Sequence, residues 1–228
     1  MSVALPTPGA IVFDFDGTIG DTRGLILSCF LATYRELELP APSEEAIAAT
    51  IGLRLERAFA NLSDLDDAAS LAAANSYRRI FHARDHAAVA PIRGVPEVVR
   101  RCHGAGLPIA VGSSRGHDTL DPMLKGLGLF ELFGLVLDHG DAGAEKPDPA
   151  MLQVVARRFG VAPSQLIMIG DTTFDVEMGN NAGAFSVGVT WGNHTREQLL
   201  GANPSLIAES PEELTSFLGL DAPVSRFP

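Results

Sequence analysis

Cysteine and positive charge are both scarce in this chain of 228 residues. Its two cysteines, Cys29 and Cys102, stand outside any CxxC or Cys/His spacing, which excludes a disulfide framework and a cysteine-rich metal site. We therefore expect two small buried thiols in a reducing compartment. Lysine and arginine number 17 against 28 aspartates and glutamates, giving a formal net charge of −11. Such an acidic surface repels nucleic acid and anionic membranes, so we expect neither as a partner.

Long apolar runs are also missing. No stretch approaches the roughly 18 apolar residues that a membrane span needs. Residues 1–18 lack the basic region and the apolar run of a signal peptide. Hydrophobic residues still make up 46% of the chain, which is typical of a folded globular protein. We expect a soluble cytoplasmic protein, either a monomer or a homodimer.

Short apolar segments, partly β-branched, recur along the chain and are separated by helical patterns. We predict buried strands at residues 11–15, 109–112, 135–137, 166–169 and 186–189. Helical patterns at 96–104, 148–159 and 175–182 lie between or beside them. Strands that alternate with helices predict an α/β fold with a doubly wound, parallel, Rossmann-like sheet.

One stretch breaks this alternation. Between about residues 23 and 88 no good strand pattern occurs, and helical segments follow one another at 24–37, 43–51, 55–62 and 66–86. We predict an inserted α-helical cap domain at 22–90 and an α/β catalytic core at 1–21 and 91–228. The hinges would lie near residues 21–22 and 91–94.

Two aspartates follow the first predicted strand, in the sequence Asp14-Phe15-Asp16-Gly17-Thr18. Alternation along an extended chain sends Asp14 and Asp16 to the same side, about 6–7 Å apart. Open α/β sheets keep their active sites at the carboxyl ends of their strands, where this pair lies. Aspartate and glycine are also common in plain turns, but average residue usage produces D-x-D-G-T by chance only about a few times per thousand such chains.

A second acidic pair follows the predicted strand 166–169. Asp171 stands at its carboxyl end, and Asp175 lies one helical turn later. A structural alternative is that Asp171 caps the next helix. Together with the first pair, however, these carboxylates supply hard oxygen ligands that suit octahedral Mg²⁺.

Two further segments offer groups that bind phosphate. Ser113 and Ser114 end the predicted strand 109–112, where hydroxyl and backbone N–H groups can hold phosphate oxygens. Pro147 and Pro149 stiffen the chain around Lys146, and a lysine fixed in this way supplies positive charge that an acidic protein lacks. Taken singly, each has an ordinary alternative: serines in a turn and a surface lysine in a proline-containing loop.

As a set and in this order, the four segments resemble the four motifs of the haloacid dehalogenase-like (HAD) superfamily. The resemblance spans about residues 11–192, and the helical insert resembles the small cap of its phosphoglycolate phosphatase-like members. It implies that Asp14 is a nucleophile that forms an aspartyl-phosphate. Asp16 would then be the general acid and base, and Ser113 and Lys146 would hold the phosphoryl oxygens.

The resemblance also implies a metal site and a set of phosphate contacts. Mg²⁺ would bind Asp14, Asp171 and the backbone carbonyl of Asp16, with Asp175 binding directly or through water. Dehalogenases of the superfamily lack an acid at the position of Asp16, so this residue favours phosphoryl transfer. The remaining predicted contacts to the phosphate are Gly17, Thr18, Ser114 and Arg115.

The predicted substrate is a small phosphorylated metabolite, such as phosphoglycolate or a sugar phosphate. We hypothesise that Arg54, in the predicted cap, contacts a second anionic or polar group of the substrate; alternatively, it pairs with Glu56 as a solvated helix charge. Two other functions stay open. The first is a phosphomutase that returns the phosphoryl group to a sugar, and the second, more remote, is a non-catalytic phospho-receiver or binding module.

Overall fold

The computed structural model describes residues 8–84 and 88–221. Their strands are β1 (Ala10–Phe13), β2 (Gly20–Asp21), β3 (Ala90–Pro91), β4 (Ile109–Gly112), β5 (Leu135–Leu137), β6 (Leu166–Gly170), β7 (Phe185–Val189) and β8 (Leu206–Ala208). Their α-helices are α1 (Arg23–Glu36), α2 (Glu44–Ala48), α3 (Leu55–Ser63), α4 (Asp67–His82), α5 (Val95–Gly104), α6 (His117–Gly126), α7 (His139–Ala142), α8 (Ala150–Phe159), α9 (Thr173–Ala182), α10 (Arg196–Gly201) and α11 (Pro211–Phe217).

Six strands form one parallel sheet in the order β5-β4-β1-β6-β7-β8. From β1 the chain crosses to β4 on one side, and it later returns to β6 on the other side. The strand order therefore reverses at β1, and in open α/β sheets the crevice at such a point holds the ligand. This architecture confirms the predicted α/β fold with a doubly wound, Rossmann-like sheet.

The central strand β1 is buried on both faces. Ile11 and Phe13 pack into one hydrophobic core, and Ala10 and Val12 pack into a second core on the opposite face. Successive side chains of a strand point to opposite faces, so a strand covered on both sides needs a continuous apolar run. This explains why the strand shows no polar alternation in the sequence.

Helices α1 to α4, which we call the helical insert, lie between β2 and β3. These two short strands pair antiparallel, with Gly20 opposite Pro91 and Asp21 opposite Ala90. The chain thus leaves the sheet and returns to it through one narrow ribbon, located where the sequence predicts hinges. Aromatic rings hold the helices of the insert together, because Phe30 packs 4.8 Å from Phe59 and 4.9 Å from Tyr77 between ring centroids.

The predicted strands and helices are confirmed with small shifts at their ends. Strand β1 stops at Phe13 because the chain then turns: the carbonyl of Phe15 accepts hydrogen bonds from the backbone N–H groups of Ile19 and Gly20. The last helix of the insert ends at His82, before the predicted residue 86, and residues 85–87 lie outside the described part. Strand β8 has no counterpart in the prediction.

Cys29 and Cys102 are both buried and unpaired, as expected. Across residues 8–84 and 88–221, none of the helices is both long enough and apolar enough to cross a membrane.

Candidate active site

Three adjacent strands deliver the predicted site residues to one edge of the sheet. Asp14 directly follows β1, Ser113 follows β4 and Asp171 follows β6. Since β4, β1 and β6 are neighbours and run parallel, their carboxyl ends meet at the same edge. All three residues are buried. The sequence predicts this convergence from strand ends alone.

Lys146 joins two of the carboxylates. Its ammonium group donates hydrogen bonds to Oδ1 of Asp14 and to Oδ1 of Asp175, both at 2.6 Å. All three side chains are almost fully buried. Lys146 precedes α8, whose first turn is fixed by a hydrogen bond from the backbone N–H of Ala150 to Asp148. A buried charge is tolerated only when it is paired, so this lysine supplies the positive charge at the centre of the acidic cluster.

The three buried aspartates repel one another. Burial and the neighbouring carboxylates raise the pKa of Asp14 well above its usual range, although Lys146 opposes the shift. Burial and the charge of Asp175 raise the pKa of Asp171 to about 7, against hydrogen bonds from Asn193 and Thr18. Burial alone would lower the pKa of Lys146, but the carboxylates of Asp14 and Asp175 outweigh it and raise that pKa. The cluster therefore favours additional positive charge.

Asp14, Asp171 and Asp175 fit a small divalent cation. One ligand atom from each lies within 4.8 Å of the others. An ionised carboxylate offers about four acceptor sites. Asp175 accepts three hydrogen bonds, from Lys146 and from the backbone and hydroxyl of Thr172, and it keeps about one site. Asp171 also accepts three and keeps about one, whereas Asp14 accepts one from a side chain and keeps about three. Oxygen donors of this kind suit Mg²⁺.

Two glycines allow the backbone to approach Asp171 closely. A Cβ atom on Gly17 would lie 2.4 Å from Oδ2 of Asp171, and one on Gly192 would lie 2.2 Å from the same oxygen. Gly17 also has a φ of +82°, a conformation that side-chain-bearing residues rarely adopt. Both positions therefore require glycine for Asp171 to keep its place.

Asp16 lies apart from this cluster. Arg115 binds its carboxylate with two nitrogens: Nη2 donates to Oδ1 at 2.6 Å and Nε donates to Oδ2 at 3.0 Å. The guanidinium also stacks on Phe81 of α4, 4.6 Å from the ring centroid. The sequence predicts Arg115 as a phosphate contact, whereas the structure places it against the carboxylate of Asp16. The backbone carbonyl of Asp16, the predicted metal ligand, accepts a long 3.4 Å hydrogen bond from the amide of Asn193.

The two serines after β4 face different partners. The hydroxyl of Ser113 is buried and accepts a hydrogen bond from the backbone N–H of Arg115 at 3.1 Å, which leaves its own proton available to donate. The hydroxyl of Ser114 donates to the carbonyl of Gly52 at 2.7 Å. Because Gly52 belongs to the helical insert, Ser114 connects the insert to the sheet.

Thr18 hydrogen-bonds to the carboxylate of Asp171. Its hydroxyl donates to Oδ1 of Asp171 at 2.9 Å, and its carbonyl accepts from the indole of Trp191 at 3.2 Å. A contact of Thr18 or Gly17 with phosphate stays a prediction.

Arg54 lines a cavity that Asp14 and Asp16 also line, but its guanidinium is already paired with carboxylates. It donates to Glu145 at 3.0 Å and lies 3.7 Å from Glu56. The contact with Glu145 crosses from the insert to the loop that carries Lys146. The alternative prediction, in which Arg54 pairs with Glu56, thus matches the structure in part. The closer partner of Arg54 is Glu145, which the sequence did not indicate.

The sequence prediction misses Asn193. Its backbone N–H and its amide nitrogen both donate to Oδ2 of Asp171, at 2.7 and 2.9 Å. It follows β7, the neighbour of β6, so its position after a strand was a usable signal. Asp171 itself does not cap α9, because Thr172 occupies the N-cap position and Asp175 hydrogen-bonds back to it.

Comparison with known proteins identifies the family. Residues 11–189 match the family model of the haloacid dehalogenase-like hydrolases. A solved structure of a hydrolase of this family from Streptococcus pneumoniae shares the fold, with a TM-score of 0.84 at 25% identity over 93% of this chain and 99% of that chain.

Curated relatives are named as phosphatases. The chain is 36% identical to a probable phosphatase, IndB, from Dickeya dadantii, over 90% of each chain. It is 30% identical to the pyrophosphatase PpaX of Bacillus velezensis, over 92% of this chain and 96% of that one. It is also 30% identical to a phosphoglycolate phosphatase of Escherichia coli O157:H7, over 92% of each. The chain therefore belongs to the haloacid dehalogenase-like hydrolases, as a phosphatase.

Proposed function

We propose that this chain is a Mg²⁺-dependent phosphatase that hydrolyses a small phosphomonoester through a phosphoryl group carried on Asp14. The observation that carries the proposal is the convergence of Asp14, Asp171 and Asp175 around the ammonium of Lys146. Such a cluster is costly to bury. A bound divalent cation would offset that cost, and it would also attract the anionic phosphoryl group to the cluster.

The proposed reaction has two displacements. A carboxylate oxygen of Asp14 attacks the phosphorus, the bond to the leaving oxygen breaks, and Asp16, protonated after release from Arg115, gives that oxygen its proton. Asp16 then takes a proton from water, whose oxygen attacks the phosphorus and releases inorganic phosphate from Asp14. Ser113 and Lys146 donate hydrogen bonds to the phosphoryl oxygens in both steps.

Mg²⁺ would be held by Asp14, Asp171 and the backbone carbonyl of Asp16, with Asp175 beside them. When bound, it would offset the negative charge shared by the phosphate and Asp14. The single remaining acceptor site on Asp175 leaves room for a direct bond or for one water. Thr18 and Asn193 fix the orientation of Asp171, as partners of metal ligands commonly do.

The helical insert would act as a cap that closes over the site, which is the predicted division into a cap at 22–90 and a core at 1–21 and 91–228. Two contacts support this role: Ser114 with the carbonyl of Gly52, and Arg54 with Glu145. Each links the insert to a loop of the core. The ribbon of β2 and β3 would supply the hinge.

The experiment is a phosphate-release assay with acetyl phosphate and a panel of phosphorylated metabolites, with Mg²⁺ and with EDTA. The Asp14→Asn variant should lose activity by at least about a thousandfold. Asp64→Asn is the matched control, because Asp64 is exposed at the end of α3 in a left-handed conformation that asparagine tolerates. An Asp14→Asn variant as active as the parent would overturn the mechanism.

The same assay separates the phosphatase from a phosphomutase. A phosphatase releases phosphate steadily without an added bisphosphate, whereas a mutase depends on one to restore its phosphorylated aspartate. The cytoplasmic location and the oligomeric state stay predictions from the sequence.

A further inference from the structure

A cavity of about 290 Å³ lies between the helical insert and the carboxyl edge of the sheet. Asp14 and Asp16 line its floor, so a substrate whose phosphate reaches Asp14 must place its leaving group here. The volume lies near the lower end of the range for small-molecule sites. It therefore suits a phosphate with one ring-sized group and little more.

The insert contributes walls that are mainly apolar. Phe30, Tyr77 and Phe81 line the cavity together with aliphatic side chains, and all three are at least nine-tenths buried. The ring of Tyr77 lies 4.9 Å from that of Phe30 and 5.6 Å from that of Phe81, between centroids. Rings packed in this way offer flat surfaces against which an aromatic or other ring-bearing ligand can pack.

The arginines that line the cavity are already neutralised. Arg78 donates to Glu56 at 2.6 Å, Arg115 is paired with Asp16, and Arg54 is paired with Glu145. A second anionic group on the substrate would have to break one of these pairs. It would also meet the carboxylates of Glu56 and Asp118, which line the same space. The leaving-group pocket therefore disfavours negative charge.

Tyr77 adds a neutral polar group to the aromatic wall of the cavity. The residue is only 5% exposed, and its hydroxyl, which makes no hydrogen bond to the residues described, opens on the cavity. Burial raises the pKa of this hydroxyl, so it stays a neutral phenol that can donate one hydrogen bond and accept another. A tyrosine hydroxyl that opens on a cavity can hydrogen-bond to a polar group of a ligand bound there, while its ring packs against apolar atoms.

From this cavity we infer that the leaving group is uncharged and ring-bearing, and that Tyr77 selects it by a hydrogen bond to a polar group on the ring. The inference rests on the proposed function and narrows it. It also separates this chain from relatives named for pyrophosphate and phosphoglycolate, whose leaving groups are anions.

The test compares kcat/KM for 2-phenylethyl phosphate and phosphoglycolate, with Mg²⁺ and the full-length protein. Both substrates release a primary alcohol, so the comparison reports on the pocket. We expect 2-phenylethyl phosphate to be favoured by at least about tenfold. A preference for phosphoglycolate, or equal values, would overturn the inference.

Hydrolysis of acetyl phosphate tests the proposed function independently of the leaving-group pocket. Its leaving group is small and activated, so it depends little on contacts with the helical insert. Mg²⁺-dependent hydrolysis of acetyl phosphate that disappears in Asp14→Asn supports the proposed function whichever ester is preferred. If neither acetyl phosphate nor any phosphate ester is hydrolysed in the presence of Mg²⁺, the proposed function itself fails.

The role of Tyr77 is tested with Tyr77→Phe on 2-phenylethyl phosphate and on the three derivatives that carry one hydroxyl on the ring, which are isomers of one another. We expect a loss of about tenfold in kcat/KM for the isomer that the parent uses best, and less than about twofold for the unsubstituted compound. An equal effect on both compounds would contradict the hydrogen bond. The melting temperature should not fall, because the hydroxyl has no hydrogen-bond partner among the described residues to lose.

The role of charge is tested with Glu145→Gln, which releases Arg54 from its closest carboxylate. The ratio of kcat/KM for phosphoglycolate to that for 2-phenylethyl phosphate should rise by about three- to tenfold. An unchanged ratio would show that arginine pairing does not exclude the anion.

Discussion

Arg115 holds the carboxylate of Asp16 in a two-nitrogen ion pair, at 2.6 and 3.0 Å, with both side chains largely buried. Arg115 follows Ser113 at the end of β4, and Asp16 follows Asp14 at the end of β1. The pair therefore joins the two strand ends beside the proposed nucleophile. Phe81 covers the guanidinium from the side of the helical insert.

We expect the ion pair between Arg115 and Asp16 to contribute to the free energy of unfolding. A double-mutant cycle with Arg115→Gln and Asp16→Asn should give a coupling free energy of about 1–3 kcal/mol in urea unfolding, because a partner left alone keeps a poorly solvated charge. The exposed pair Arg196 and Glu209 is the control and should give less than about 1 kcal/mol. Equal coupling in both cycles would show that burial adds nothing at Asp16.

Lys146→Gln should destabilise the folded protein when divalent cations are removed with EDTA. It leaves Asp14 and Asp175 buried without their cation, at a cost of about 3–5 kcal/mol at pH 8. A carboxyl whose pKa is raised by folding binds its proton more readily in the folded state, so the cost should shrink as the pH falls towards 5. Urea unfolding at both pH values measures it.

Lys125→Gln is the control for that experiment, since Lys125 is the only other lysine of the chain and is exposed at the end of α6. Its ammonium group lies 4.6 Å from the centroid of the Phe130 ring, and an exposed contact of this kind is weak, so a change within about 1 kcal/mol is expected. A loss at Lys146 no larger than at Lys125 would contradict the role of the buried ammonium.

Gly192→Ala should weaken the proposed metal site. The new Cβ would lie 2.2 Å from Oδ2 of Asp171, so the carboxylate must move. We expect the Mg²⁺ concentration for half-maximal activity to rise by about ten- to a hundredfold. Gly201→Ala is the control, because a Cβ there meets open space at the end of α10. An unchanged Mg²⁺ dependence in Gly192→Ala would argue against Asp171 as a ligand.

His117 should contribute stability that depends on pH. Its ring donates to Asp121 and Asp141, and the hydrogen bond to Asp121, opposed by partial burial, raises its pKa to about 9. A group whose pKa is raised by folding stabilises the protein below its unfolded pKa of about 6.5, and that stability is lost as the pH rises through 9.

His117→Gln should therefore lower the free energy of unfolding at pH 6, by no more than about 1 kcal/mol because the side chain is 40% exposed. The deficit should approach zero above about pH 9.5. In the Asp121→Asn, Asp141→Asn background the pH dependence should be lost, and its persistence there would contradict the assignment.

The pattern of the amino-acid sequence is enough to predict five of the six strands of the parallel sheet and most of the candidate site. Apolar runs predict the strands. Because each follows a strand that is predicted to be parallel, the sequence also predicts that Asp14, Ser113 and Asp171 lie together. That reasoning succeeds because the carboxyl ends of adjacent parallel strands must meet.

The pairing of the side chains depends instead on tertiary packing. Arg115 and Asp16, Arg54 and Glu145, and Asn193 and Asp171 lie far apart along the chain, and their contacts depend on how the strands and the insert pack. A local pattern shows where a strand or helix ends, but it carries no information about which distant charge faces that end. The shape and charge of the leaving-group cavity, enclosed by the insert above Asp14, follow from those pairings.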